Sequence, residues 1–511
     1  MLQAALNRHL PISIFIFRSK EDIVMLKTGA QYLEEMKAMR PNIYKYGKLI
    51  EDPTTDPITA AHIKNVAMWY DRSCDPATQD LYTTTSFLTG ERAHRWNTIM
   101  TKPEDLVGNM DMKRDGYRAC GSCMGPCCAG WVIMNALWSV TYDMDKEYGT
   151  DYHERLKKFA MFAEEKALSL AGAITDGKGN RGAGAGAQED PDLYLHVKEQ
   201  RPDGIIISGF KTQICGTAGA QYVLCMPTTG MKPGEEAYAL ACAVPRDVEG
   251  LTIIEARRSS DTRAESEAEG WDGIRSGTTA AYMIFDDVFV PTEHVFMNGE
   301  TKYSGKPIGQ FSTIYRSCIG ACVAGQGDVI IGAALGMARV NGLSAKPFQD
   351  RLNQMAIHNE TTYGMGLGSI MKGKNHPSGA FYPNGLLAHA NKVLVGTLPY
   401  EVKRMAVDIA GGIVETGCMP SYKDLTSPIY GEKLLSALQG APGTKPEDRV
   451  KMARLLEWLT IGGGIPGCMH GGGSPDTGKL VVRLSTKWDQ YVDYARALAD
   501  VEAPLKEEKK K

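Results

Sequence analysis

The sequence predicts an α+β chain, mainly α, ordered as a helical segment, a β segment and a second helical segment. Two observations carry this. Apolar residues recur at helical spacing through residues 28–172 and again after Pro291. Between these stretches lie short β-rich runs separated by Gly, Pro and charged turns. At 511 residues the chain exceeds what one core usually serves, so two or three packed subdomains are expected.

The elements follow in order. Residues 1–24 read as an N-terminal extension. Its apolar run LPISIFIF (10–17) is too short to cross a bilayer, and no small-residue cleavage site follows it. An N-terminal α-helical domain is expected over 25–172. Thr28 can cap a helix that carries Tyr32, Leu33, Met36 and Met39 on one side. A central β domain is expected over 173–295, with strands at 204–209, 222–227, 238–245, 251–256 and 281–291. The C-terminal α-helical domain takes 296–511, with helices at 318–340, 346–372, 385–412, 446–462 and 484–501. GAGAGA (182–187) follows no strand and reads as a loop rather than a phosphate cradle. Neither a strand–GxGxxG–helix unit nor GxxxxGK[ST] occurs, so a Rossmann domain or P-loop has no support.

Composition narrows the function. A net charge of -3 with 23% charged residues argues against a broad basic surface for nucleic acid. No membrane partner is expected, and the terminal KEEKKK reads as a solvated tail. Twelve cysteines are too few for a disulfide scaffold of this length. They cluster at 120–128, 215–225 and 318–322, which in a cytoplasmic protein favours reduced thiols, metal ligation or catalysis.

Three sets of motifs then converge. The first is NALWSVTYDMDKEYGTDYH (135–153) with AGAITDGKGNRG (171–182). The second is DGIIISGFKTQICGT (203–217) with MPT (226–228). The third is FDDVFVP (285–291), GACVAGQGDVIIGAA (320–334), LPYEVKRMAVDIAGG (398–412) and MHGGGSP (469–475). Together they resemble the 4-hydroxybutyryl-CoA dehydratase / 4-hydroxyphenylacetate 3-hydroxylase superfamily, on its dehydratase side, from about Met25 to about residue 500. The resemblance implies an acyl-CoA-dehydrogenase-like fold, FAD, and a homotetramer with flavin sites near subunit interfaces. For the dehydratase branch it also implies a CoA thioester substrate and a [4Fe-4S] cluster held by three cysteines and one histidine.

The same resemblance nominates residues. TDGKGNR matches a flavin-binding stretch, so Thr175, Asp176, Lys178, Asn180 and Arg181 become FAD contacts; by itself the stretch reads as a polar turn. Cys215 stands where the dehydratase branch has threonine, at a strand end facing the flavin. Gly411 and Gly412 match a turn close to the dinucleotide, where missing side chains permit close approach.

The cluster pattern is C-x3-C, then H-x6-C. Its last ligand matches Cys322, while Tyr315 replaces the histidine. Counting back from Asn135 puts the second cysteine on Cys128 and the first on Met124. A shift of one residue restores the spacing as Cys123 and Cys127. Cys318 lies one helical turn before Cys322. The expected ligands are therefore Cys123, Cys127, Cys318 and Cys322, with Cys120 and Cys128 as bystanders. A clusterless core of buried thiols stays open beside this, and a disulfide or zinc site is the remaining option.

The acid–base set departs from the dehydratase branch. Its two glutamates fall on Ala280 and Gly467, and a tyrosine falls on Ile319. Tyr315, His470 and Glu360 remain as catalytic candidates, each equally readable as structural. Two enzymatic readings follow: a flavoenzyme acting on an acyl-CoA by elimination, isomerisation or α,β-redox, or a reduced-flavin aromatic hydroxylase. A degenerate, non-catalytic homologue is the third.

Overall fold

The computed structural model describes residues 26–57, 59–121, 123–177, 179–256, 279–417, 419–461 and 471–502. The N-terminal part is helical. Helix α1 (Gly29–Ala38) starts at Thr28, whose side chain accepts from the Gln31 N–H in a reciprocal capping box. Helices α2 (Ala60–Cys74), α3 (Pro103–Cys120), α4 (Ala129–Tyr148) and α5 (Tyr152–Glu165) follow. Proline opens α3, where its missing N–H costs nothing, and Gly121 in a left-handed conformation closes it.

The middle of the chain forms two packed sheets. In chain order the strands are β1 (Ile43–Lys45), β2 (Lys48–Ile50), β3 (Leu170–Ala173), β4 (His196–Arg201), β5 (Gly204–Cys215), β6 (Tyr222–Cys225), β7 (Leu240–Pro245), β8 (Leu251–Glu255), β9 (Ala280–Pro291) and β10 (Val295–Asn298). One sheet runs β2-β1-β8-β9-β5-β4 and the other β10-β7-β6-β3. Ile205, Ile207 and Ile214 of β5 meet Val223, Leu240 and Val244 of the second sheet in one apolar core. The residues between them are buried as well, so these strands read in the sequence as continuous apolar runs.

Five predicted strands exist, and β5 runs to Cys215 rather than stopping at residue 209. The additional strands are short (β1, β2, β3, β10) or, in β4, mostly exposed, so they carry weak patterns.

The C-terminal part is helical again: α6 (Lys306–Val340), α7 (Lys346–Met371), α8 (Gly385–Val395), α9 (Leu398–Ala410), α10 (Pro446–Thr460), α11 (Pro475–Ser485) and α12 (Trp488–Leu498). The helix expected over 385–412 breaks at Gly396–Thr397, just before Pro399, which lacks the N–H that a continuous helix would donate to the Val395 carbonyl and fits the first turn of a new one. The long apolar helix spanning Thr301–Val340 is long enough to cross a membrane by composition, yet 72% of its apolar window is buried within the fold. α6 is the central spoke, packing on α3, α4, α7, α8, α9 and α10. No residue of α12 is buried, and Trp488, Tyr491 and Leu498 stand 54%, 54% and 90% exposed.

Candidate active site

The cysteine loop docks on the end of β5. Gly125–Cys127 forms a single 3-10 turn, and Cys128 is the N-cap of α4. A Cβ on Gly125 would lie 2.6 Å from the Cys215 carbonyl oxygen, and one on Gly216 would lie 2.3 Å from Pro126 Cδ. Only glycine allows two backbones this close. Gly216 also has φ +72. Immediately before, Gln213 takes a left-handed φ of 58 where the β5–β9 register slips. A bulged, strained residue of this kind turns the strand end outward. Cys215 pairs with Ala280 across the sheet, so a methyl group stands beside the Cys215 strand end.

The thiols of the loop diverge. Cys127 is fully buried among Tyr32, Trp69 and Tyr70. The next residue, Cys128, faces Lys113 of α3. Lys113 is 2% exposed, and its ammonium interacts electrostatically with Cys128, Cys318 and Cys322. Burial lowers its pKa, but the three thiols more than offset this and raise it overall. The Trp131 ring adds a cation–π contact at 5.2 Å. Cys318 and Cys322 are both buried on α6, and burial pushes the Cys318 thiol up. Cys123 packs with Cys322, Tyr117, Ile319, Val323, Val395 and Tyr315.

The structure thus brings Cys123, Cys318 and Cys322 to one region but sets Cys127 on another face, with Cys128 in its place. Consecutive residues at a helix start point about 100° apart, so only one of the two thiols can face α6. Among the described residues, no three His, Cys, Asp or Glu side chains are grouped to hold a metal ion.

Tyr315 lies at the edge of this pocket. It stacks on Phe311 at 5.3 Å, and a Cβ on Gly472 would lie 2.7 Å from its ring. The neighbouring glycines are clamped by buried cations. Arg316 donates to the Gly472 carbonyl from Nε at 3.0 Å and Nη2 at 2.7 Å, and Lys392 donates to the Gly471 carbonyl at 2.7 Å. Arg316 Nη1 also donates to His389 Nδ1 at 2.6 Å. Burial, then the Arg316 charge, hold the His389 pKa down to about 4. His470 lies outside the described residues, as does Lys178.

A pH dependence follows. His389 is neutral when folded but protonates near its ordinary value of 6.5 when unfolded. Its contribution is present above pH 6.5 and is lost as pH falls toward 4. Thermal melts of the wild type and a His389→Gln variant should therefore converge as pH drops from 7 to about 5. A constant difference across that range would refute the coupling.

Glu360 sits elsewhere. It pairs with Arg114, which also holds Asp328 at 2.8 Å, and Arg118 holds Asp328 at 2.7 Å. The Glu360 side chain is 58% exposed, so this network ties α3, α6 and α7 together at the surface.

Around the TDG turn, Asp176 turns inward. Its carboxylate meets Lys211 Nζ at 2.7 Å, with both side chains nearly fully buried. Lys211 also donates to the carbonyls of Ile174 and Met226, at 2.8 and 3.0 Å. The Thr212 N–H donates to the Thr175 carbonyl at 2.7 Å, which seats the turn beside the end of β5. Asn180 and Arg181 are exposed. Gly411 (φ +75) and Gly412 have open space where a Cβ would be, and Gly411 borders a cavity of about 560 Å³ with Arg351, Lys403, Arg404 and Asp408. That cavity belongs to the C-terminal helices, not to the TDG turn.

Signatures of the 4-hydroxyphenylacetate 3-hydroxylase family match residues 28–297 (N-terminal) and 305–500 (C-terminal). The chain belongs to this family. A 4-hydroxybutyryl-CoA dehydratase/vinylacetyl-CoA-Δ-isomerase of Clostridium aminobutyricum is 33% identical over 492 residues, covering 93% of this chain and 100% of the relative. The oxygenase component of 4-hydroxyphenylacetate 3-monooxygenase from Thermus thermophilus is 26% identical, covering 86% of this chain and 89% of the relative. Among solved structures, an oxygen-tolerant archaeal 4-hydroxybutyryl-CoA dehydratase from N. maritimus superposes with TM-score 0.91 at 32% identity, covering 95% of this chain and 97% of that one. The hydroxylase oxygenase HpaB complexed with FAD superposes with TM-score 0.81 at 23% identity, covering 92% and 98%, and shows the shared fold. The chain is an enzyme of the 4-hydroxyphenylacetate 3-hydroxylase family with an acyl-CoA-dehydrogenase-like fold.

Sequence reasoning missed Lys113, Lys211 and Arg316. Lys113 had a legible signal. It falls between Met110 and Tyr117 on the apolar face of α3, where a lysine needs a buried partner.

Proposed function

We propose that this family member is an FAD-dependent enzyme of the dehydratase branch, acting on a CoA thioester by elimination, isomerisation or α,β-redox chemistry. The observation that carries the reading is the docking of the cysteine loop on the Cys215–Gly216 strand end, which puts the loop that bears Cys123, Cys127 and Cys128 beside the strand assigned to the flavin. FAD would supply electron transfer at the substrate carbons. Thr175, Asn180 and Arg181 offer it polar contacts at the exposed turn. Asp176, paired with Lys211, acts as a positioning residue. Cys215 faces the flavin edge, and Tyr315 is the proton donor assigned on the far side of it, with His470 as the candidate from the matched MHG motif; the ion-paired Glu360 is assigned to structure.

Gly411, Gly412 and the cationic cavity beside them suit the dinucleotide of a second copy, since they lie apart from the TDG turn. The exposed apolar stripe of α11 and α12 (Leu480, Leu484, Trp488, Tyr491, Leu498) supports a homotetramer. Replacing Leu484 and Trp488 with Glu should yield a smaller species that holds FAD poorly, read by light scattering and flavin absorbance. Wild-type mass and flavin content would remove α12 from the interface. The ten described cysteines are free thiols, which fits a cytoplasmic enzyme.

The four-thiol region also suits a [4Fe-4S] group. Thiolates sharing one zinc stand about 4 Å apart, since each bond is about 2.3 Å. Ligands of separate irons in a cluster stand wider, so the lack of a compact metal group among the described residues weighs against a single ion only.

Ala280 beside Cys215 favours a second reading, because the dehydratase branch has a carboxylate there. An aromatic hydroxylase needs no such base. Mass spectrometry decides. Anaerobic conversion of a hydroxyacyl- or enoyl-CoA, with loss of water or a shifted double bond, supports the first reading. Oxygen insertion into a phenol with reduced FAD supports the second and sinks the first.

A further inference from the structure

Two buried cations grip the turn that begins at Gly471. Arg316 is 4% exposed. Among the described residues its four hydrogen bonds all end on neutral acceptors, and no carboxylate pairs with it. Nε and Nη2 share the Gly472 carbonyl, Nη2 also reaches Thr477 Oγ1 at 3.0 Å, and Nη1 reaches His389 Nδ1. Thr477 in turn donates to the Ser474 carbonyl at 2.7 Å, which ties the far end of the turn. Lys392, fully buried, holds the Gly471 carbonyl. A guanidinium buried on neutral partners stabilises little, since a packed apolar residue in its place would avoid the desolvation. What a planar fork with five donors does supply is geometry, because it fixes one carbonyl in distance and angle at once. Neighbouring Tyr315 shows what that geometry serves. The Gly472 backbone abuts its ring: a Cβ there would lie 2.7 Å from Cδ1 and 3.0 Å from Cε1. Gly472 and Gly473 take φ of +69 and +91, so a turn this close needs glycine at both positions. Phe311, one helical turn earlier on α6, stacks on the same ring with 15° between the planes.

We propose that Arg316 and Lys392 are positioning residues for Tyr315: by holding the carbonyls of Gly472 and Gly471 they keep the turn against the ring and fix the place of the phenol oxygen. The inference rests on the reading of Tyr315 as the proton donor, and it names what makes that donor effective. A proton passes only within hydrogen-bond reach, so a ring free to change rotamer lies mostly out of range. Phe311 and the clamped turn remove that freedom from two sides. His389 belongs to the device as the acceptor that orients Nη1, and Thr477 as one that orients Nη2. The clamp draws on three helices, with Arg316 on α6, His389 and Lys392 on α8, and Thr477 on α11.

The test uses the full-length, FAD-loaded protein grown with 3-fluorotyrosine, the Tyr315 fluorine signal being assigned by its loss in Tyr315→Phe. Arg316→Gln and Gly472→Ala should each shift or split that signal, and Arg316→Lys should return it part of the way. Lys479→Ala, at an exposed position of α11, should leave it in place. A lower melting temperature with an unmoved Tyr315 signal in both Arg316→Gln and Gly472→Ala overturns the proposal, since a clamp that only joins helices behaves so. Should Arg316→Gln fail to fold, Gly472→Ala and Lys392→Met carry the same test. Turnover is the second readout, with 4-hydroxybutyryl-CoA as the probe, after the Clostridium relative. Arg316→Gln should lower kcat about tenfold or more with KM little changed, and should add less than about twofold in a Tyr315→Phe background. A displaced signal with unchanged kcat sinks the proton-donor reading of Tyr315 and supports the clamp. Wild-type protein inert toward the CoA thioester counts against the proposed function alone, and the fluorine signal still decides the positioning.

Discussion

Lys211→Ala is expected to cost about 3–5 kcal/mol of stability, the range for orphaning one partner of a buried ion pair. The Lys211–Asp176 pair sits at 2–3% side-chain exposure, so water cannot solvate the carboxylate left behind. Lys211 also satisfies the carbonyls of Ile174 and Met226, and those would be stranded together. Asp176 holds the TDG turn against β5, so loosening it should weaken FAD binding as well. Adding Asp176→Asn to a Lys211→Met background should recover part of the loss, because removing both charges costs less than exposing one. Chemical denaturation and flavin titration read the two effects. A loss below about 1 kcal/mol would mean that solvent reaches this pair after all.

Gly216→Ala should be similarly damaging, for two reasons that act at one atom. A Cβ in the left-handed region costs about 1–2 kcal/mol. The same Cβ would lie 2.3 Å from Pro126 Cδ, an overlap relieved only by moving the cysteine loop off the strand. The combined loss should be roughly 2–5 kcal/mol. Gly125→Ala, whose Cβ meets the Cys215 carbonyl at 2.6 Å, should shift the same loop from the other side. Both variants should fold with a lower melting temperature and bind FAD more weakly, while a glycine-to-alanine change at open Gly364 should do neither. Normal melting and flavin affinity in Gly216→Ala would break the link between loop and strand.

Much of the fold was legible because its long helices and its continuous apolar central strands are buried in the core. Thr28 announced the start of α1, and the isoleucines of GIIISG announced β5. The strands β1, β2, β3 and β10 escaped notice because runs of three or four residues show no period. The site was only half legible. Cys318 and Cys322 fall on one face of a helix, so spacing alone pairs them. Spacing misled at the loop. C-x3-C selected Cys127, while counting back from Asn135 reached Cys128, and the rotation of the 3-10 turn into α4 puts Cys128 beside Lys113. Asp176 and Glu360 were nominated by stretches that match the family. Which way a carboxylate turns depends on a lysine or arginine distant in sequence, here Lys211 and Arg114.

The most direct test of the central claim is the structure of the FAD-loaded enzyme. The isoalloxazine should lie at the Cys215 end of β5, with the TDG turn on one side and the Gly125–Cys128 loop and Tyr315 pocket on the other. An isoalloxazine bound away from Cys215, or separated from the cysteine loop by intervening protein, would contradict it.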